Sequence, residues 1–219
     1  DMKRMVKKIV SSQIYLQQSA VSSFLREKDP SNNLLARQGR WRVDAEFVRD
    51  GALKISDLLN DEKLGGESVK PYQPAGFWQH LNFPRKVWKA SEGDDLYRRS
   101  VYTFRCRTCP HPSMVAFDAT SREECTAERS RSNIPLQALA MLNDPIFVEA
   151  SRVFGARIAE RKGTSLEKIA WGLTEALSRE GTTEEVELLA KVYQSQLEKF
   201  KNDKDTVYTQ LCISFDNCQ

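Results

Sequence analysis

The sequence predicts a mainly α-helical domain, and three observations carry this prediction. Apolar residues recur at helical spacing over residues 2–16 and 43–59. From Asn133 onward, capping patterns and prolines divide an almost continuous helical pattern into separate helices. Residues 60–93 lack any such period, so we expect a long irregular loop there, with one or two short strands following near residues 101–117.

The N-terminal part of the chain predicts two helices. Residues 2–16 place their apolar side chains on one stripe, and a turn follows at residues 29–33, where Pro30 fixes the backbone. Over residues 43–59 the predicted apolar face is formed by Val48, Ala52, Ile55 and Leu59.

The loop at residues 60–93 is rich in glycine and proline yet carries large aromatic residues. These are Tyr72, Phe77, Trp78, Phe83 and Trp88. Long loops of this kind are often functional, so the rings are candidates to line a sugar or a ring-shaped ligand. The interpretation we favour is that they pin the loop onto the core. The short apolar runs at residues 101–104 and 114–117 are each compatible with a strand or a buried helical turn.

The C-terminal helices have local start signals. Asp144 is predicted to cap a helix whose first residue is Pro145. Thr164 with Glu167 forms a capping-box pattern, and Thr182 repeats it with its own glutamate three residues later.

Bulk composition limits the function classes. The chain has 219 residues, 40% of them hydrophobic, and a net charge of +3, which is too mild to predict nucleic-acid binding. No apolar run is long enough to cross a membrane. Five cysteines without a dense spacing pattern do not indicate a disulfide framework. The chain begins inside a helical pattern and stops without a cap, so we interpret it as a piece of a longer protein.

An arginine-rich centre lies at residues 97–131, which contain seven arginines, no lysine and four acidic residues. The planar guanidinium is suited to gripping carboxylate, phosphate or sulfate. The predicted ligand-binding residues are Arg98, Arg99, Arg107, Arg122 and Arg131 for anions, and Asn133 and Gln137 for neutral groups.

Three functions are compatible with this centre. In the first, it binds an anionic ligand such as an acidic or sulfated polysaccharide. In the second, the chain belongs to a carbohydrate-active or cytochrome-linked redox enzyme, for which Asp44 and Asp118 are the candidate catalytic carboxylates. In the third, the arginines form an internal ion network, since buried charges must be paired. The members of that network outside the centre are Arg42, Asp44, Glu46, Arg49 and Asp50.

Metal and cofactor motifs are poorly matched. Cys106 and Cys109 resemble a haem-attachment pair, but Pro110 separates the second cysteine from His111 and would misplace the imidazole. As a zinc half-site the pair lacks two further ligands, and the candidates for them are Cys125 with His80 or His111. Phosphate-binding glycine loops and serine-hydrolase or zincin motifs are absent from the sequence. We therefore predict no cofactor or metal within this piece.

Several ordered motifs resemble the planctomycete PSD domain, a domain of unknown function. The motifs lie at residues 44–50, 65–74, 97–104, 131–139 and 142–145. The resemblance covers nearly the whole chain, except that Cys106 and Cys109 stand where the family pattern has no cysteine pair. It implies one domain over residues 1–219, truncated at both ends, with N-terminal helices at 1–60, a polar centre at 61–132 and C-terminal helices at 133–219. It also implies an extracytoplasmic location, and upstream domains of the parent chain as partners, one of them haem-bearing.

Overall fold

A computed structural model describes residues 1–73, 76 and 88–202 of the chain. Within these residues the structure is mainly helical, with eight α-helices and no sheet, so the predicted fold class is confirmed. Backbone contacts divide the chain into two compact units with the boundary between Val43 and Asp44, and each unit is described by itself. The single-domain organisation stays a prediction. Several residues singled out above lie outside the described part, namely Phe77, Trp78, His80 and Phe83.

The first unit contains α1 (Met2–Val10) and α2 (Ser23–Lys28). Helix α1 ends earlier than the apolar stripe over residues 2–16 predicts. The hydroxyl groups of Ser11 and Ser12 donate to the carbonyl oxygens of Lys7 (2.6 Å) and Ile9 (2.7 Å). These side-chain hydrogen bonds compete with the backbone hydrogen bonds that would continue the helix. The predicted turn after α2 is present, and its buried Asp29 accepts the backbone N–H groups that follow it.

The second unit contains the other six α-helices and two 3-10 helices. In chain order these are α3 (Ala45–Ser56), the 3-10 helices Gly93–Tyr97 and Ser100–Tyr102, α4 (Pro112–Ala116), α5 (Pro135–Asn143), α6 (Pro145–Glu160), α7 (Ser165–Leu177) and α8 (Thr183–Asn202). Helix α3 packs mainly on α6, and α7 and α8 pack on each other. None of the helices in the described ranges combines the length and the apolar content that a bilayer crossing requires.

The predicted helix starts are confirmed in the second unit. The Asp144 side chain accepts the N–H of Ile146 at 3.0 Å, directly before Pro145. Thr164 and Glu167 form a reciprocal capping box at α7. Thr182 and Glu185 exchange the same two hydrogen bonds at α8. These signals are local, which explains why the sequence alone reveals them.

Helix α3 buries a different face from the one its apolar pattern predicts. The buried positions are Ala45, Arg49, Leu53 and Ser56. They are rotated by about one residue from the predicted face, whose members Val48, Ala52 and Ile55 are only half-buried. The apolar core around α3 is completed by Val69, Met114, Ala116, Ile146, Phe147 and Ala150. An arginine therefore occupies a core-facing position of this helix.

The segments at residues 60–69 and 98–103 are joined by two isolated parallel bridges, Asn60 with Arg98 and Val69 with Thr103. The first half of the run at residues 101–104 lies in a 3-10 helix, and Thr103 forms only an isolated bridge. The run at residues 114–117 falls in and just after α4, so neither run forms a strand of the kind expected near 101–117. The indole N–H of Trp88 donates to the carbonyl of Pro71 at 2.9 Å. This contact is of the pinning type expected for the loop aromatics.

Candidate functional site

The most buried arginine of the arginine-rich centre is Arg98, which lies between the two 3-10 helices and is 1% exposed. Its guanidinium donates to the carbonyl oxygens of Glu67, at 2.8 Å, and of Gly65. The same group lies 4.5 Å from the ring centroid of Tyr102, in cation–π geometry. Arg98 thereby fastens residues 65–67 to the 3-10 helices.

Arg49 reaches the same region from α3 and is 5% exposed. Its guanidinium donates to the carbonyl oxygens of Arg98 at 2.9 Å and Leu96 at 2.6 Å, and to Ser100 Oγ at 3.0 Å. Burial lowers the pKa of this guanidinium, and the charge of Asp50, 3.9 Å away, opposes that effect. The planar fork of arginine suits three acceptors that lie along one stretch of backbone.

Asp50 completes the attachment of α3 to this segment. Its Oδ1 accepts the backbone N–H of Ser100 at 2.7 Å, at the start of the second 3-10 helix. Ser100 is itself fully buried, so its N–H would otherwise lack a partner. Consecutive residues of α3 thus supply a donor and an acceptor to residues 96–100.

A second cluster forms around Glu46, one turn earlier on α3. Its carboxylate accepts from Arg105 and, at 2.7 Å, from Arg129, while Arg129 also lies 3.5 Å from Asp44. Burial raises the pKa of Glu46, but the hydrogen bond from Arg129 and the charges of Arg105 and Arg129 outweigh it, so the net pKa lies below the ordinary value. This cluster ties the exposed loop after α4 back to α3.

The Glu46 cluster makes stability depend on pH. The pKa of Glu46 is lower in the folded than in the unfolded chain, so its contribution is present above the unfolded pKa, about 4.5, and is lost as pH falls through the folded pKa. Glu46→Gln is therefore expected to lower the free energy of unfolding at pH 7 by about 1–2 kcal/mol. Glutamine lacks the negative charge that strengthens the hydrogen bonds from the two arginines, and access of water to the pair limits the size of the loss. Urea unfolding at a series of pH values should show this difference shrinking below pH 4.5.

The matched control for that measurement is Glu62→Gln, because Glu62 is exposed and has no ion pair among the described residues. Its difference from the wild type should stay small at every pH. A gap between wild type and Glu46→Gln that is the same at pH 7 and at strongly acidic pH would contradict the electrostatic role of Glu46.

Asp118 has a local structural role in the geometry observed. It adopts a left-handed backbone conformation, with φ of 60°, and accepts the N–H and Oγ–H of Ser132 at 2.7 and 2.8 Å. Gln137, buried on α5, donates to the carbonyl of Ser132 at 3.3 Å. These contacts close the exposed loop at residues 119–131 and position the start of α5.

His111 is 7% exposed, and its ring joins the start of α4 to the backbone at Tyr72. Its Nε2 lies 2.9 Å from the carbonyl of Tyr72, which can only accept, so Nε2 carries the proton. Nδ1 then accepts from the hydroxyl of Ser113 at 2.8 Å. Desolvation lowers the pKa of His111, which keeps the ring neutral near pH 7. No group of three potential metal-binding side chains converges within the part of the chain that the structure describes.

The predicted ligand-binding residues do not share one environment. Arg98 and Gln137 are buried, and Arg99 is half-exposed with its guanidinium 3.7 Å from Asp61. The remaining predicted contacts, Arg107, Arg122, Arg131 and Asn133, are exposed. Of the predicted ion network, Asp44, Glu46, Arg49 and Asp50 take part in the contacts described above, whereas Arg42 is an exposed residue of the first unit.

Several partners in this centre carry no signal in the sequence. Arg105 and Arg129 lie 59 and 83 residues from Glu46, so neither spacing nor periodicity reveals their pairing. The hydroxyl of Tyr97 donates to Glu149 at 2.8 Å, and burial together with that bond raises the pKa of Tyr97 to about 12. Arg157 on α6 donates to the carbonyl of Ile55 at the end of α3. The density of arginine in residues 97–131 predicts a polar centre, but it carries no information about which groups these side chains contact.

The sequence model of the family described as PSD1, protein of unknown function (DUF1553), matches residues 1–193. No curated protein and no solved structure matches the chain.

Proposed function

Because the chain belongs to the PSD1 family of proteins of unknown function, we propose that it is a structural, non-catalytic domain whose arginine-rich centre holds irregular segments onto α3. The observation that carries this proposal is the environment of Arg98. That guanidinium is buried, its Nη1 and Nη2 atoms each donate to a backbone carbonyl, and the Tyr102 ring covers one of its faces. An arginine used in this way contributes to the fold and has little surface left for a ligand.

The candidate catalytic carboxylates support the same conclusion. Asp118 accepts two hydrogen bonds from Ser132, and Asp44 faces Arg129. A general acid or base needs access to the substrate proton that it transfers. Carboxylates that position a loop and pair with an arginine are typical of structural roles, so we favour the structural function over the enzymatic one.

A second candidate function, binding of an anionic polysaccharide, is favoured by Arg107 and Arg122. Both side chains are exposed, and neither has an ion-pair partner among the described residues. Arg122 also has a left-handed backbone, with φ of 63°, in the exposed loop after α4. Loops held by a rigid frame are frequent binding elements, and exposed guanidinium groups suit sulfate or carboxylate.

A thermal-shift experiment separates the two candidates. The chain is unfolded alone and with polygalacturonate, dextran sulfate or neutral dextran, because a ligand of the native state must raise its melting temperature with concentration. Under the structural proposal no glycan shifts the melting temperature. Under the second candidate the two anionic glycans raise the melting temperature, by about 2–4 °C for each kcal/mol by which the bound glycan stabilises the folded state. The double variant Arg107→Ala/Arg122→Ala abolishes this shift.

The matched control is Lys191→Ala/Lys199→Ala, which removes two exposed cations from α8. If both double variants lose the shift equally, the effect is general charge attraction and the second candidate fails. A shift by neutral dextran as well would contradict the role of the arginines.

The setting of the domain is a further part of the proposal. The motif resemblance supports a planctomycete parent protein that is secreted or displayed at the cell surface, with a cytochrome-c-type domain upstream. The upstream sequence of the parent gene tests this directly. A signal peptide and a C-x-x-C-H motif there support the proposal, whereas an upstream region with neither would contradict it.

A further inference from the structure

Cys106 and Cys109 lie at the two ends of a tight turn. The backbone N–H of Cys109 donates to the carbonyl of Cys106 at 3.3 Å, the hydrogen bond that closes a four-residue turn. The Cα atoms at the ends of such a turn are less than about 7 Å apart. Disulfides span Cα separations of about 4.4–6.8 Å, so this backbone brings the two cysteines within bridging range. Both side chains are thiols in the structure.

The two thiols differ in accessibility. Cys106 is half-buried, with its Sγ 3.2 Å from Thr108 Oγ1, whereas Cys109 is 7% exposed. Burial raises the pKa of the Cys109 thiol, and the neighbouring Cys106 raises it further. This electrostatic influence is consistent with two sulfur atoms that lie close together. The Cys106 thiol is therefore more accessible to a reagent than the Cys109 thiol.

We propose that Cys106 and Cys109 are a redox-active dithiol, which a disulfide-bearing oxidant converts into an intramolecular disulfide across the turn. This inference goes beyond the proposed structural function and does not depend on it. It assigns a modification site to two cysteines that the proposed structural function does not involve.

The chemistry requires two exchange steps. The Cys106 thiolate attacks one sulfur of the oxidant, the oxidant's S–S bond breaks, and its other sulfur leaves as a thiolate. Cys109 then loses its proton to solvent and attacks Cys106 Sγ, which expels the second oxidant thiolate. Two electrons pass to the oxidant, which becomes two thiols, and the protein gains one S–S bond. Because the pKa of Cys109 is raised, the second step should slow as pH falls.

The position of the turn gives oxidation a structural consequence. Directly before the turn, Arg105 binds Glu46, and soon after it His111 binds the carbonyl of Tyr72. A bond across residues 106–109 therefore lies between two residues that are anchored in the folded chain, and it restricts the unfolded chain, in which those contacts are absent. The stabilisation of the folded state by a disulfide is smallest when the closed loop is short. The melting temperature should therefore rise by only about 2–6 °C on oxidation.

The direct test exploits the arginines around the pair. Trypsin cleaves after Arg105, Arg107 and Arg122, which places the two cysteines on separate peptides, residues 106–107 and 108–122. The chain is incubated at several ratios of reduced to oxidised glutathione, quenched by acid, denatured, alkylated and digested without reductant. Mass spectrometry should find these two peptides joined, while Cys125 on peptide 123–129 carries glutathione instead.

Two variants report on the order of events. Cys109→Ser should stop at a glutathione adduct on Cys106, and Cys106→Ser should leave Cys109 unmodified because it is buried. Neither variant should show the rise in melting temperature on oxidation. The proposal is overturned if peptides 106–107 and 108–122 are never joined at any glutathione ratio, or if Cys106 pairs mainly with another cysteine.

Discussion

Arg98→Met is expected to lower the free energy of unfolding by about 2–4 kcal/mol. Methionine retains apolar volume but cannot donate to the carbonyl oxygens of Gly65 and Glu67, which then lose their partner. The cation–π contact with Tyr102 is lost as well. Relief of the desolvation of a buried cation offsets part of this loss, because removing a buried charge also removes the penalty for burying it. Urea unfolding of the wild type and the variant measures the difference.

The adjacent residue supplies the matched control. Arg99→Met removes the same charge one position along the chain, but Arg99 is half-exposed and lies 3.7 Å from Asp61. Exposed ion pairs contribute about 0–1 kcal/mol, so this variant should be close to the wild type. Equal losses in Arg98→Met and Arg99→Met would mean that net charge, and not the buried contacts, determines stability. An Arg98→Met protein as stable as the wild type would contradict the structural function proposed here.

The sequence predicted the helical fold well wherever the determinants are local. The caps at Asp144, Thr164 and Thr182 were identified because each involves residues two or three positions apart. The same locality explains why the start of α6 at Pro145 was placed correctly. Propensity and capping act within one turn of helix and need no knowledge of the tertiary structure.

Orientation of the helices was less predictable, and α3 shows why. Its apolar pattern favours Val48, Ala52 and Ile55, but the surface that it covers presents the carbonyl oxygens of Leu96 and Arg98. A polar surface of this kind requires a donor, so Arg49 turns inward and the buried face rotates with it. Hydrophobic periodicity assumes an apolar partner, and that assumption fails at a polar centre.

Composition predicts an arginine-rich centre but not the roles of the residues within it. Arg98 and Arg99 are adjacent and identical in type, yet one is buried and the other is half-exposed. The difference arises from carbonyl oxygens at residues 65 and 67, which come from a loop about 30 residues earlier. Contacts at that separation depend on how the loop folds back, and single-sequence patterns contain no record of it.

Arg49→Met is expected to have the largest effect, a loss of about 3–5 kcal/mol in the free energy of unfolding. The substitution removes three hydrogen bonds to residues 96–100 and leaves the carbonyl of Arg98 without its α3 donor inside the core. It also leaves Asp50 without the cation 3.9 Å away. Arg49→Lys should recover only part of the loss, because an ammonium group lacks the planar fork that serves separate acceptors.

Lys54→Met is the control on the same helix, because its ammonium group is largely exposed and lies 3.6 Å from Asp61. It should change stability by about 0–1 kcal/mol. A loss in Lys54→Met as large as that in Arg49→Met would show that any cation on α3 matters, and full recovery by Arg49→Lys would show that charge alone is required.

The two buried arginines are also expected to be energetically coupled. Arg49 donates to the main-chain carbonyl of Arg98, whose own side chain holds residues 65–67 against the same segment. Once either side chain is removed, residues 96–100 are held less firmly, and the remaining arginine has less ordered acceptors to bind. Arg49→Met/Arg98→Met should therefore lose less stability than the sum of the single variants, by about 0.5–3 kcal/mol in a double-mutant cycle. Strict additivity would mean that α3 and the loop at residues 65–67 are secured independently, so that the centre would consist of two separate attachments.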